Sequence, residues 1–146
     1  MNINGIEIPN KPLSNFDIEK YADKLGLTHF RGTFMRDALP RKLFKTECAI
    51  VNLDDSDGPG THWVCYWIDP DVSYYFDSFG LSMPDELHNY LKRPTLINTF
   101  EIQDRNDVIC GHLCLKVLKD LQVNDGQQGA HGQRYNSFKK SIFSLI

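Results

Sequence analysis

One cysteine in the sequence is placed where its thiol could act as a nucleophile. Cys110 follows the loop segment "QDRNDVI" and begins "CGHLCLKVLKDLQ", in which apolar residues recur at helical spacing. A thiol at the start of a helix lies near unpaired backbone N–H groups and the positive end of the helix dipole, and both favour the thiolate. Gly111 follows at once, and we expect its missing side chain to keep the approach to the sulfur open. Nucleophilic attack on a carbonyl group also needs a base, a group that orients the base, and hydrogen-bond donors for the oxyanion.

A histidine and an aspartate are candidates for the base and for the group that orients it. His62 stands at the start of the strand-like run "HWVCYWI", and Asp77 stands at the end of the next run, "VSYYFD". The short turn "DPD" joins the two runs, so we expect them to pair as antiparallel strands. Such pairing brings the start of one strand beside the end of the other, and His62 and Asp77 become neighbours. Asp69 and Asp71 lie in the turn and remain alternatives, because a one-residue shift in register turns each side chain to the opposite face.

Structural explanations compete with the catalytic one. A histidine at a strand start, an aspartate in "DSFG" and a cysteine at the head of a helix each commonly serve packing or turn formation. A zinc site built from Cys110, His112, Cys114 and His62 is a further alternative. On a helix, however, Cys110 and Cys114 share one face while His112 points away. We therefore expect no metal and no cofactor.

Several elements must position these residues. The segment "PLSNFDIEKYADKLG" predicts a helix capped by Ser14 or Asn15 and closed by Gly26. The runs "ECAIVNL", "HWVCYWI" and "VSYYFD" predict three consecutive strands. A second helix is predicted in "SMPDELHNYLK", with Ser82 as its cap, and a further strand in "TLINTFEIQ". The helix that begins at Cys110 follows, and a last helix is predicted in "RYNSFKKSIFSLI". The Gly-rich segment "VNDGQQGAHGQ" between the last two helices is expected to be mobile.

Composition and charge limit the class of protein. The chain has 146 residues, of which 41% are hydrophobic and 24% charged, and this size and composition suit one domain spanning residues 1–146. The order of the predicted helices and strands indicates an α+β fold, with a small mixed or antiparallel sheet flanked by helices. The net charge of −3 argues against a surface built to bind nucleic acid. No apolar stretch approaches the ~20 residues of a membrane span, and the N-terminus lacks the features of a signal peptide. We expect a protein that is not secreted, has no membrane partner, and keeps its four cysteines as free thiols.

Four elements, in order along the chain, resemble the adenain family, the maturation proteases of adenoviruses. They are "GTHWVCYW", "YYFDSFG", a glutamine at position 103 and "CGHLC". The adenains belong to a clan of cysteine proteases that includes the SUMO-deconjugating enzymes, and its members share a His-Trp pair, then Asp or Glu, then Gln, then Cys-Gly. The upstream segment "FRGTFMRDALPRKLFKTECAIVN" also looks like its adenain counterpart, and the resemblance extends from about Asp17 to Leu121.

The resemblance implies a role for each matching residue. Cys110 would be the nucleophile, His62 the general base and acid, and Asp77 the group that holds the imidazole. Gln103 would share the oxyanion hole with the backbone N–H of Cys110. Trp63 and Gly111 would contact substrate, and Trp63 would also shield the site, which is compatible with a second role as a core residue of its strand.

The family's activity implies a function. The expected protein is a cysteine endopeptidase of viral or virus-like element origin that cleaves structural precursor proteins during particle maturation, after small residues or Gly. It would act in the virion or in the cytoplasm or nucleus of the host cell. Ile109 stands before the nucleophile where the SUMO-directed branch usually has Asp, which favours the adenain side. Adenain is stimulated by a disulfide-linked peptide and by DNA. No cysteine lies between Cys65 and Cys110, so an activating peptide would not be disulfide-linked here. The negative net charge of the chain argues against stimulation by DNA.

Two other functions remain open at this stage. An isopeptidase that removes SUMO or another ubiquitin-like modifier from host conjugates would keep the fold and change the substrate. A non-catalytic descendant would bind partners through the same cleft.

Overall fold

The computed structural model describes residues 1–58, 60–103, 107–122 and 130–146. A small hairpin of β1 (Asn2–Ile3) and β2 (Ile6–Glu7) precedes helix α1 (Asn15–Lys24). The main sheet contains five strands, with a helix between the last two, and two helices follow it. These elements are β3 (Phe30–Met35), β4 (Glu47–Asn52), β5 (Trp63–Ile68), β6 (Ser73–Phe76), α2 (Asp85–Leu91), β7 (Thr95–Ile97), α3 (Cys110–Leu121) and α4 (Ala130–Ser144).

The main sheet is mixed. Its strands lie in the order β3-β4-β5-β6-β7; the three central strands pair antiparallel, and each outer strand pairs parallel to its neighbour. The central strands are the three predicted from the sequence, so the α+β class with a small mixed sheet is confirmed. Strand β3 and the N-terminal hairpin were not predicted.

Both faces of the central strands are buried, which explains their aromatic and β-branched composition. Alternate residues of β4, β5 and β6 face a core that also contains apolar residues of α1, α3 and α4, such as Ile18, Leu113 and Phe138. The residues between them face a second core, closed by Leu87 and Leu91 of α2. The central strands are therefore fixed on both sides, and their ends are rigid places from which to present functional side chains.

Helix α1 begins where the sequence predicts. Ser14 Oγ accepts a hydrogen bond from the Asp17 N–H (3.1 Å), and the Asp17 carboxylate accepts one from the Ser14 N–H (3.0 Å). This reciprocal pair is a capping box. The capping residue is therefore Ser14 rather than Asn15.

Several predicted boundaries were wrong. Helix α2 has Pro84 as its N-cap, without a side-chain cap, so Ser82 does not cap it. Strand β7 takes up three residues of the longer predicted run, and α4 begins at Ala130, earlier than predicted. The expectation of a mobile segment falls mostly on residues 123–129, which lie outside the described residues. Within the described ranges, no helix is long and apolar enough to cross a membrane.

Candidate active site

The β5–β6 hairpin brings His62 and Asp77 together. Strand β5 begins directly after His62 and β6 ends directly before Asp77, and Cys65 pairs with Phe76 in the antiparallel register between them. His62 Nε2 lies 2.6 Å from Asp77 Oδ1. Since a carboxylate can only accept, the imidazole donates this hydrogen bond through Nε2–H. Nδ1 is then the ring nitrogen left for the thiol.

Asp77 is itself held on two sides. Its Oδ1 also accepts a hydrogen bond from the Phe79 N–H (2.9 Å), so the same carboxylate forms the turn and binds the imidazole. The Asn98 side chain accepts from the Asp77 N–H (3.0 Å) and donates to the Asp77 carbonyl oxygen (2.6 Å). Both Asp77 and Asn98 are buried. The carboxylate therefore has little freedom to turn away from His62.

Phe79 restrains the imidazole from its face. The two rings stack with their centroids 4.0 Å apart and their planes 6° apart. Sequence reasoning missed both Phe79 and Asn98. The run "DSFG" gave a signal for Phe79, since a turn after a strand places its residues beside the strand end, but Asn98 comes from a distant loop that no local pattern connects to Asp77.

The alternatives to Asp77 lie elsewhere. Asp69 accepts two hydrogen bonds from the Arg134 guanidinium (2.8 and 3.1 Å) and one from Trp67 Nε1 (3.2 Å). Asp71 is exposed in the turn. The structure therefore brings Asp77, rather than Asp69 or Asp71, to the histidine.

Cys110 is the first residue of α3, and it lines the same cleft as His62. Burial raises the pKa of the thiol, but the nearby His62 and the backbone N–H groups of Trp63 and Gly111 outweigh it, so the pKa lies below its ordinary value. Burial likewise lowers the pKa of His62, whereas its hydrogen bond to Asp77 and the nearby Cys110 sulfur raise it to about 9 overall. Both shifts favour a thiolate beside an imidazolium.

Gln103 lies in the same cleft as His62 and Cys110. Its side chain is buried; Nε2 donates to the Asp107 carbonyl oxygen (2.8 Å), and Oε1 accepts from Ser78 Oγ (2.5 Å). An amide nitrogen carries two hydrogens, so one N–H remains for a ligand in the cleft.

The cleft has a volume of about 810 Å³. Besides the residues above, it is lined by the segment before α1, by β3 and by the loop before His62, including Leu13, Ser14, Thr33, Phe34, Met35 and Thr61. Trp63 forms part of its wall and is 9% exposed, and Trp63 Nε1 donates to the Leu13 carbonyl oxygen (2.9 Å). The two expected roles of Trp63, in the core and beside the cleft, are thus compatible.

Gly111 does not have the surroundings that the sequence suggested. It is buried, and a Cβ at this position would lie 3.3–3.4 Å from side-chain atoms of Leu13, Ile18 and Trp63. The glycine therefore lets the start of α3 pack closely against α1 and Trp63. The expectation that it keeps the approach to the sulfur open was wrong, since its missing side chain faces the core.

The other cysteines and His112 are buried away from the cleft. Cys48, Cys65 and Cys114 are free buried thiols. His112 Nε2 donates to the Pro9 carbonyl oxygen (2.7 Å), and burial lowers the pKa of His112. Among the described residues, no group of His, Cys, Asp or Glu is arranged to hold a metal ion.

Solved structures share this fold. The chain is similar to the crystal structure of the ASFV pS273R protease, with a TM-score of 0.59 and 20% sequence identity over 91% of this chain and 67% of the other. The selenomethionine form of that protease gives a TM-score of 0.56 and 17% identity at the same coverage. No protein-family model and no curated protein matches the sequence. The chain therefore has the fold of a viral cysteine protease, and the closer relationship to adenain stays a prediction.

Proposed function

We propose that this chain is a cysteine endopeptidase of viral or virus-like element origin. The observation that carries the proposal is that His62, hydrogen-bonded to Asp77, shares one cleft with Cys110 at the head of α3. Nucleophile, base and orienting group stand in the order that acyl transfer by a thiol requires. The fold that the chain shares with a viral cysteine protease supports the same activity.

Acylation begins from the ion pair. The Cys110 thiolate attacks the carbonyl carbon of the scissile peptide bond, and the carbonyl oxygen becomes an oxyanion. As the C–N bond breaks, the His62 imidazolium gives its proton to the leaving amine, and a thioester to Cys110 remains. Asp77 keeps the imidazole oriented throughout and stabilises its positive charge.

Gln103 and the backbone N–H of Cys110 would bind the oxyanion. The free amide N–H of Gln103 is uncharged and held in a buried position, so it needs no reorganisation when the negative charge develops. One donor of this kind contributes roughly 3 kcal/mol to transition-state stabilisation.

Deacylation returns the enzyme to its first state. Neutral His62 takes a proton from water, the hydroxide adds to the thioester carbonyl, and the C–S bond breaks to give a carboxylic acid and Cys110. The imidazolium and thiolate are then restored.

The proposed substrates are capsid or other structural precursor proteins of a virus particle, cleaved after Gly or another small residue. The buried Trp63 and Gln103 line the same cleft as Cys110 and would leave little room there for a larger side chain. An activating peptide, if one acts on this enzyme, would bind without a disulfide. The site of action would be the virion or the cytoplasm or nucleus of the host cell.

Peptide cleavage and active-site labelling test the activity. The protein is expected to cleave peptides with Gly before the scissile bond, and a peptide vinyl sulfone is expected to modify Cys110. Cys110→Ser should abolish both, whereas Cys65→Ser, which changes a buried thiol, should retain both. Labelling of Cys48 or Cys65 in preference to Cys110 would contradict the assignment. Release of a modifier from intact SUMO conjugates without peptide cleavage would instead identify an isopeptidase.

The pH dependence of alkylation tests the ion pair. Iodoacetamide reacts with the thiolate, so its rate rises as pH increases through the pKa of Cys110. Because that pKa is lowered, the midpoint of the rise should lie below the ordinary cysteine value of about 8.5. In His62→Ala the midpoint should move to higher pH, since the neighbouring positive charge is lost. A wild-type midpoint equal to that of His62→Ala would exclude the pairing.

A further inference from the structure

We propose that Ser78 is a positioning residue that fixes the amide of Gln103 with one N–H free for the oxyanion. The inference rests on the proposed function, because it gives Ser78 a role in the same acyl transfer. Ser78 follows Asp77 directly and is fully buried, and no pattern in the sequence singles it out.

The hydrogen bonds around Gln103 define which way its amide faces. The Asp107 carbonyl oxygen can only accept, so the amide atom 2.8 Å from it is the nitrogen. The amide atom facing Ser78 is then the oxygen, and Ser78 Oγ must donate to it. The serine hydroxyl and the backbone carbonyl therefore select the same orientation from opposite ends of the amide.

The backbone of Ser78 also holds the Gln103 segment. The Ser78 carbonyl oxygen accepts hydrogen bonds from the Ile102 N–H (2.8 Å) and the Gln103 N–H (3.1 Å). Both the main chain and the side chain of Gln103 are thus attached to one residue. Asp77, the preceding residue, holds His62. One short segment after β6 therefore positions both the base and an oxyanion donor.

Removal of the hydroxyl has a specific consequence. In Ser78→Ala, Gln103 Oε1 would lose its donor in a buried position, where an unmade hydrogen bond is costly. The oxygen would turn towards water in the cleft, and only the Asp107 carbonyl would still hold the amide. The free N–H would no longer lie where the oxyanion forms, although Cys110, His62 and Asp77 would be unchanged.

A peptide aldehyde and iodoacetamide separate these effects. The aldehyde forms a hemithioacetal with Cys110 whose oxygen occupies the oxyanion position, whereas alkylation by iodoacetamide creates no oxyanion at a carbonyl carbon. Ser78→Ala should bind the aldehyde roughly 10- to 100-fold more weakly and lose kcat by a similar factor with KM unchanged. The rate of Cys110 alkylation should stay the same. Ser78→Thr keeps the hydroxyl and should restore most of the aldehyde affinity.

A double-mutant cycle tests whether Ser78 acts through Gln103. In a Gln103→Ala background, Ser78→Ala should cause no further loss of aldehyde affinity, because the group that it positions is absent. Equal losses in the two backgrounds would overturn the proposal, as would a fall in alkylation rate matching the fall in kcat. If the wild-type protein binds the aldehyde and Ser78→Ala binds it equally well, the role of Ser78 fails while the protease stands. If the wild-type protein neither binds the aldehyde nor cleaves peptide, the proposed function itself fails.

Discussion

At the level of single residues, the site depends on opposed pKa shifts in one pair of side chains. Burial alone would keep both Cys110 and His62 neutral, since it disfavours any charged form. The Asp77 hydrogen bond and the proximity of the two groups to each other reverse this: the pKa of His62 rises to about 9 and that of Cys110 falls. Asp77 contributes to the rise at His62 through its hydrogen bond to Nε2. A neutral residue in place of Asp77 should therefore weaken the whole ion pair.

Asp77→Asn is the sharpest single-residue change. Asparagine keeps the volume and can still accept the Phe79 N–H, but it cannot balance the charge of the imidazolium. We expect kcat to fall on the order of 100- to 10,000-fold. The alkylation midpoint of Cys110 should also move to higher pH, because His62 is less readily protonated. Steady-state kinetics and the iodoacetamide titration measure the two effects.

Asp71→Asn is the matched control for this change. It removes the same charge from the exposed turn of the same hairpin, and its kcat should stay at the wild-type value. Similar rates for Asp77→Asn and Asp71→Asn would show that neither aspartate orients His62.

At the level of elements, a hairpin, one turn and one helix start assemble the site. The antiparallel register of β5 and β6 places the residues just outside the two strands side by side. The turn after β6 then bends sharply at Gly80, which has a φ of 68° and lies so close to Phe100 that a Cβ would be 2.6 Å from its backbone. Only glycine fits both conditions. The bend brings Phe79 over His62 and Ser78 against Gln103.

Gly111→Ala tests why the start of α3 carries a glycine. Alanine favours the helix by about 1 kcal/mol, and tighter packing against Leu13, Ile18 and Trp63 costs about 1–3 kcal/mol. We therefore expect the free energy of unfolding to fall by about 0–2 kcal/mol. Access to the sulfur should be unaffected, because the added methyl group points into the core.

Reagents of two sizes measure access at Cys110. The ratio of the alkylation rates for iodoacetamide and for a bulkier maleimide should be the same in Gly111→Ala and in the wild-type protein. A selective slowing of the bulkier reagent would show that the glycine does keep the approach to the sulfur open.

At the level of the whole molecule, the sequence predicted those parts of the site that neighbouring elements determine. The contact between His62 and Asp77 follows from a local hairpin whose strands carry strong patterns, and the start of α3 follows from its helical spacing. Strand β3 was missed because "FRGTFM" contains a glycine, shows no alternation and pairs parallel with β4. The contacts of Asn98 with Asp77 and of Gln103 with Ser78 join distant segments through side chains. Such contacts depend on the tertiary packing, which the spacing of apolar residues along the sequence does not predict.

The last helix is attached to the sheet by a buried ion pair. Arg134 of α4 binds Asp69 at the end of β5, with both side chains almost fully buried, and its guanidinium lies over the Trp67 ring at 4.3 Å. Arg134→Met would keep much of the volume but remove the positive charge that pairs with the buried Asp69 carboxylate. The expected fall in the free energy of unfolding is about 3–5 kcal/mol, measured by urea denaturation.

Lys116→Met removes one member of the more exposed pair Lys116–Asp120 and should cost less than about 1 kcal/mol. Since the proposed catalytic groups His62 and Asp77 lie at the other end of the β5–β6 hairpin, kcat of the folded Arg134→Met protein should equal that of the wild type. Equal losses of stability in the two variants would show that the buried pair does not anchor α4.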